Sequence, residues 1–174
     1  MYKQLAVLFA IFFISSCGGH NDPTEDFMHG FKWHQSMYEI KKLELANLQC
    51  ESAPEGWACS SRSSPTIQKD KYHYFFVVLK DKGLASLTIL DIKQQFEKNI
   101  LFNNYNQLSQ RLTHKFGAPT YQTDDCLSDT HCGEIKSQYD YHNVIIRMNL
   151  MADGNNGILS LMMAIDNNQN RDLN

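Results

Sequence analysis

The chain has no apolar run long enough to cross a bilayer. Its longest, Leu5 to Ile14, holds ten residues, against about 20 for a spanning helix. Also missing are a Gly-x-Ser-x-Gly elbow, a His-Glu-x-x-His pair, a Gly-rich phosphate loop and a dinucleotide fingerprint. Without them no common catalytic scheme has an anchor, so we expect no enzyme and no cofactor. An excess of basic charge is absent too: 16 Lys and Arg stand against 19 Asp and Glu, for a net charge of −3. That balance argues against nucleic acid or anionic lipid as the main partner. The longest basic cluster, Lys69 to Lys71, is broken by Asp70 and reads as a solvated turn.

What is present begins with the leader. Lys3, the ten apolar residues, Ser15 and Ser16 read as the core of a secretory signal. The segment Ile14-Ser15-Ser16-Cys17 resembles the lipobox of bacterial lipoproteins, with Ile in place of the commoner Leu and Ser where Gly is usual. That resemblance implies removal of residues 1–16, a diacylglyceryl thioether on Cys17 and acylation of the new amino terminus. Gly18, rather than Asp, resembles the sorting pattern of lipoproteins sent to the outer membrane, so the expected address is the outer membrane, facing the periplasm. The mature chain would hold 158 residues with a net charge of −4, since Lys3 is the only charge lost. That is one domain of ordinary size. Residues 17–26 are polar and turn-rich and read as a tether spanning roughly 30 Å when extended; residues 27–166 form the globular part and residues 167–174 a polar tail.

Four cysteines remain beyond Cys17: Cys50, Cys59, Cys126 and Cys132. In an oxidising compartment an even set reads as disulfides. Three pairings are open, and local pairing, Cys50 with Cys59 and Cys126 with Cys132, closes two short loops. The segment from Asp124 to Cys132 also gathers two thiols, His131 and three carboxylates, a zinc or copper donor set if reduced. Its Cys spacing is wider than the usual structural step, which favours the disulfide and no metal. Met148, Met151, Met162 and Met163 offer soft ligands as well, but Met148 and Met163 fall on expected core faces. Cys132 with His131 is a conceivable nucleophile pair, and His34, Asp125 and His131 are the scattered residues from which an enzyme acting on cell-wall material would be built.

Along the chain, Ser36 and Glu39 match a capping box, and the apolar spacing of Met37, Ile40, Leu43 and Ala46 predicts a helix to about Leu48. A disulfide-closed loop or ragged hairpin follows over residues 50–65. Residues 72–79 are dense in β-branched and aromatic side chains, Asp81-Lys82-Gly83 supplies a turn, and residues 84–92 return as a strand. Leu108, Leu112 and Phe116 share a helical stripe that Gly117 and Pro119 end. Residues 139–150 alternate as one strand and Leu159 to Ile165 as another.

The element order suggests an α+β fold of two tandem helix-plus-antiparallel-sheet halves, residues 36–92 and 104–166, forming two sheets side by side or one continuous sheet, with the helices on one sheet face and a local disulfide in each half. This order resembles the β-lactamase inhibitory proteins, and each half is similar to small lipoproteins of the barrel-assembly machinery. Element order carries that resemblance, and it assigns no functional residue. In the strand at 72–79 both faces are apolar, with Tyr72, Tyr74 and Phe76 on one side and Phe75 and Val77 on the other. Tyr enrichment at interfaces makes Tyr72, Tyr74 and Phe76 the candidate face for an envelope protein partner. The expected function is that of a lipid-anchored protein-binding module, either an assembly accessory or an inhibitor or immunity factor. The alternatives are the cell-wall enzyme and a metal-handling lipoprotein.

Overall fold

A computed structural model describes residues 22–68, 71–94, 98–124, 134–153 and 156–166. Eight strands form one antiparallel sheet: β1 (Gln49–Ala53), β2 (Gly56–Ser61), β3 (His73–Leu79), β4 (Gly83–Gln94), β5 (Tyr121–Asp124), β6 (Glu134–Tyr141), β7 (Val144–Asp153) and β8 (Asn156–Ile165). Their spatial order is β1-β2-β3-β4-β8-β7-β6-β5. Two meanders therefore meet at the β4–β8 ladder, which pairs nine residues from Ser86 with Ala164 to Gln94 with Asn156.

That ladder corrects the expected architecture of tandem halves with two disulfides. The strands form a single sheet over a single buried cluster, and the described residues contain one disulfide, Cys50–Cys59. It joins directly opposed residues of the β1–β2 hairpin. Cys126 and Cys132 lie outside the described residues.

Strand alternation decides which face is core. On the inner face one transverse row runs through Cys59, Phe76, Leu87, Met163, Ile146 and Tyr139, all of them buried. The next row contains Tyr74, Ile89, Leu161, Met148 and Ser137. Each fully buried Leu, Ile or Phe side chain here contributes roughly 1.5 to 3 kcal/mol relative to exposure.

The helices cover this face. Helix α1 (Met37–Lys42) starts at the expected capping box, with the Ser36 hydroxyl accepting from Glu39 N–H and the Ser36 N–H donating to the Glu39 carboxylate. It stops at Lys42, short of Leu48, because Glu44 and Asn47 take up left-handed backbone; Met37 and Ile40 are its buried residues. Helix α2 (Lys98–Phe116) packs on β6, β7 and β8, burying Leu101, Tyr105 and Leu112. The Tyr105 hydroxyl meets Ser137 Oγ at 2.6 Å, so its polar end is satisfied within the core. Gly117, at φ +88°, ends the helix while its N–H still reaches the Thr113 carbonyl.

Residues 22–26, assigned to the tether by composition, belong to a docked arm. Pro23–Phe27 forms a 3-10 turn. Thr24 is buried and accepts from Trp33 Nε1 at 2.6 Å, and Asp26 pairs with Lys115 of α2 at 2.6 Å. The arm continues through Phe31, whose ring packs on Tyr74 and Phe76. It ends against β4, where His34 N–H donates to the Leu84 carbonyl and Leu84 N–H to the Gln35 carbonyl. The run read as one strand at 139–150 is broken by a tight turn at His142 and Asn143, with His142 at φ +51°.

Candidate functional site

With arm and helices all on the inner face, the opposite face of the sheet is left uncovered by the described residues. Eight strands at the usual spacing make it about 34 Å wide. Along its middle row lie Phe75, Thr88, Met162, Arg147, Gln138 and Tyr121 in register. Phe75 is 46 % exposed, and Val77, Ile92 and Met151 are also exposed. The β5–β7 side of this face also carries polar groups: Arg147 Nε donates to Gln138 Oε1 at 2.9 Å, and Lys136 pairs with Glu134. Among the described residues no carboxylate comes within 4.0 Å of the Arg147 guanidinium. Exposed aromatic, aliphatic and Met side chains on a face that also carries an Arg are a composition that buried protein contacts favour.

The second feature lies on the inner side. A cavity of about 300 Å³ opens between the arm, α2 and strands β4 and β8. Asp26, Phe27 and His29 come from the arm, Lys71 and Tyr72 precede β3, and Ile89 and Asp91 come from β4. Asn104, Gln107, Leu108 and Arg111 descend from one side of α2, and Leu159 and Leu161 form the β8 floor. His29 sits at φ +51°, a backbone state uncommon outside glycine. Its Nδ1 is hydrogen-bonded to the Tyr74 hydroxyl at 2.9 Å, and its ring lies against those of Tyr72 and Tyr74. Burial, then the charges of Arg111 and Lys71, hold its pKa below the ordinary value of 6.5, so the neutral imidazole is favoured. Lys71 Nζ stands 4.9 Å from the centre of the Tyr72 ring, and the Tyr72 hydroxyl, more than any charge, raises the lysine's pKa. Asp91 is only 5 % exposed. Lys93 Nζ lies 2.8 Å from its Oδ1, an ion pair outside hydrogen-bonding geometry, so that Oδ1 accepts no hydrogen bond.

The residues singled out from the sequence are distributed accordingly. Tyr74 and Phe76 are 0 % and 2 % exposed and face the arm, so they belong to the core and not to the open surface. Burial pushes the Tyr74 pKa up. Tyr72 lines the cavity. The open face carries Phe75 and Val77, the side of β3 not chosen from the sequence. His34 is tied by Nδ1 to the Lys82 carbonyl at 2.9 Å; Cys17, Asp125, Cys126, His131 and Cys132 lie outside the described residues. Among the described residues no helix is long and apolar enough to cross a membrane, and no group of three or more His, Cys, Asp or Glu could hold a metal ion.

Comparisons with protein-family models, with curated proteins and with solved structures find no match.

Proposed function

We propose that this chain is a lipid-anchored protein-binding module of a bacterial cell envelope, held through Cys17 at the outer membrane and docking a partner protein on its open sheet face. The leader supports the anchor: an apolar stretch of signal length ends in Ile14-Ser15-Ser16-Cys17. The observation that carries the docking is the set of apolar side chains exposed on a sheet whose other face is filled, Phe75 and Val77 on β3 and, farther along the face, Ile92 on β4 and Met151 on β7. The matching partner surface has an apolar patch with a carboxylate beside it, placed to meet Arg147. Accessory, inhibitor and immunity roles all use such a surface, and the partner's identity separates them.

Two measurements test the two halves. Radiolabelled palmitate should enter the wild-type protein and not a Cys17→Ala variant; equal labelling of both removes the anchor. A photo-crosslinking residue at Phe75 should trap one recurrent envelope protein, which the same residue at Gln110, exposed on α2, should not trap. That product should disappear in an Arg147→Glu chain. Equal products from both positions, or none from position 75, would overturn the docking face.

A further inference from the structure

The cavity behind the sheet has no part in that docking. We propose that it binds a small organic oxyanion, a carboxylate or phosphate on a short apolar body, with its charged end between Lys71 and Arg111 at the cavity mouth.

Charge is the first argument. Both carboxylates in the wall already have ammonium partners, Asp26 with Lys115 and Asp91 with Lys93. No carboxylate among the described residues stands within 4.0 Å of Lys71 or Arg111. Among the described residues the wall carries Lys71 and Arg111 against Asp26 and Asp91, and since Lys115 and Lys93 pair with those two carboxylates from outside it, the two wall cations are left in excess. Arg111 is instead placed over the Phe27 ring, its guanidinium carbon 5.0 Å from the centre, and Lys71 lies against Tyr72. Aromatic contacts hold both cations in place without neutralising them, and the Asp91 charge acts on Lys71 only from beyond 4.0 Å. A guanidinium so placed presents paired donors to a carboxylate or phosphate.

Convergence is the second. Lys71 and Arg111 come from segments forty residues apart, yet both line the one cavity with His29, whose proton affinity both lower. The neutral imidazole adds no charge of its own. Shape is the third. The cavity lies at the small end of the range for ligand sites, and its floor of Ile89, Leu159 and Leu161 is aliphatic.

The test uses the full chain and four probes: hexanoate, hexyl phosphate, hexanol as the uncharged control and inorganic phosphate as the charge alone. Histidine-ring NMR follows His29. At least one of the two amphiphilic anions should bind saturably, at least tenfold tighter than hexanol and than inorganic phosphate, and raise the His29 pKa by offsetting the two cations. The tighter of the two identifies the headgroup. Lys71→Gln and Arg111→Gln should each weaken it about tenfold; both residues are exposed, and an unchanged melting temperature in either confirms an intact fold. Hexanol binding as tightly as both anions would overturn the proposal, as would anion affinity unchanged in both variants.

Discussion

His29 and Tyr74 are hydrogen-bonded across 45 residues of sequence, imidazole Nδ1 to phenol oxygen at 2.9 Å. The bond fastens the arm to the inner face of β3, beside the point where Phe31 stacks on the same tyrosine. One pair thus couples a titrating group to the docking of a segment.

The pH dependence follows from the direction of the His29 shift. Its folded pKa lies below the unfolded value of 6.5, so between the two the unfolded chain binds more protons. Stability should be level with respect to this group above about pH 6.5, fall as pH drops through that value, and level again below the folded pKa. Denaturant titrations at pH 7.5 and pH 5 should show the loss. In His29→Asn, where Asn tolerates the left-handed backbone, the part of the slope due to this group should vanish; an unchanged slope assigns the dependence elsewhere.

Adjacent phenylalanines should respond in opposite ways. Phe76→Ala opens a cavity under the arm and should cost about 3 to 5 kcal/mol. Phe75→Ala touches only the open face and should cost about 1 kcal/mol or less. Urea unfolding of the two variants checks this, and similar losses would mean that Phe75 is covered.

Two glycines separate backbone strain from close approach. A Cβ on Gly83, at φ +68°, would stand 2.2 Å from the His34 carbonyl oxygen, whereas one on Gly117, at φ +88°, meets nothing within 4 Å. Gly117→Ala should therefore cost about 1 kcal/mol, from conformation alone. Gly83→Ala should cost on the order of 2 kcal/mol or more, because the arm must move as well. Thermal melts that rank the pair in reverse would contradict the arm's docking on β4.

The Cys50–Cys59 bridge closes a loop with a sequence separation of nine. Replacing both cysteines with Ser should lower stability by about 2 to 3 kcal/mol on the chain-entropy account. Peptide mapping without reductant should recover the two cysteines in one linked fragment.

Local chemistry made much of this fold legible. The Ser36 box, the Gly117 stop, the turn before β4 and the cysteine pair at 50 and 59 were each readable because a few neighbouring residues determine them. The alternation of Val144, Ile146, Met148 and Leu150 likewise marked one buried face. The turn at His142 and Asn143 was hidden because that alternation runs up to it and carries no Gly or Pro. Strand β5 is short and polar at the sheet edge, and its residues Tyr121 to Asp124 have no apolar period to reveal them. The buried side of β3 could not be read because Phe75 and Phe76 are chemically the same; only the arm, arriving from 45 residues upstream, decides between them. The cavity draws on five separated segments, so its residues share no motif.

The β4–β8 ladder also bears on how the sheet comes to exist. The other six ladders join strands adjacent in sequence, whereas residues paired across this one are 62 positions apart at Gln94 and Asn156 and 78 at Ser86 and Ala164. Hairpins close in microseconds, but a seam between distant segments must first overcome chain-closure entropy. The strand that comes last in sequence order, β8, therefore supplies the centre of the finished sheet. Until it is available, a growing chain carries β4 and β7 as unfinished edges, the kind of surface on which strands from other molecules pair.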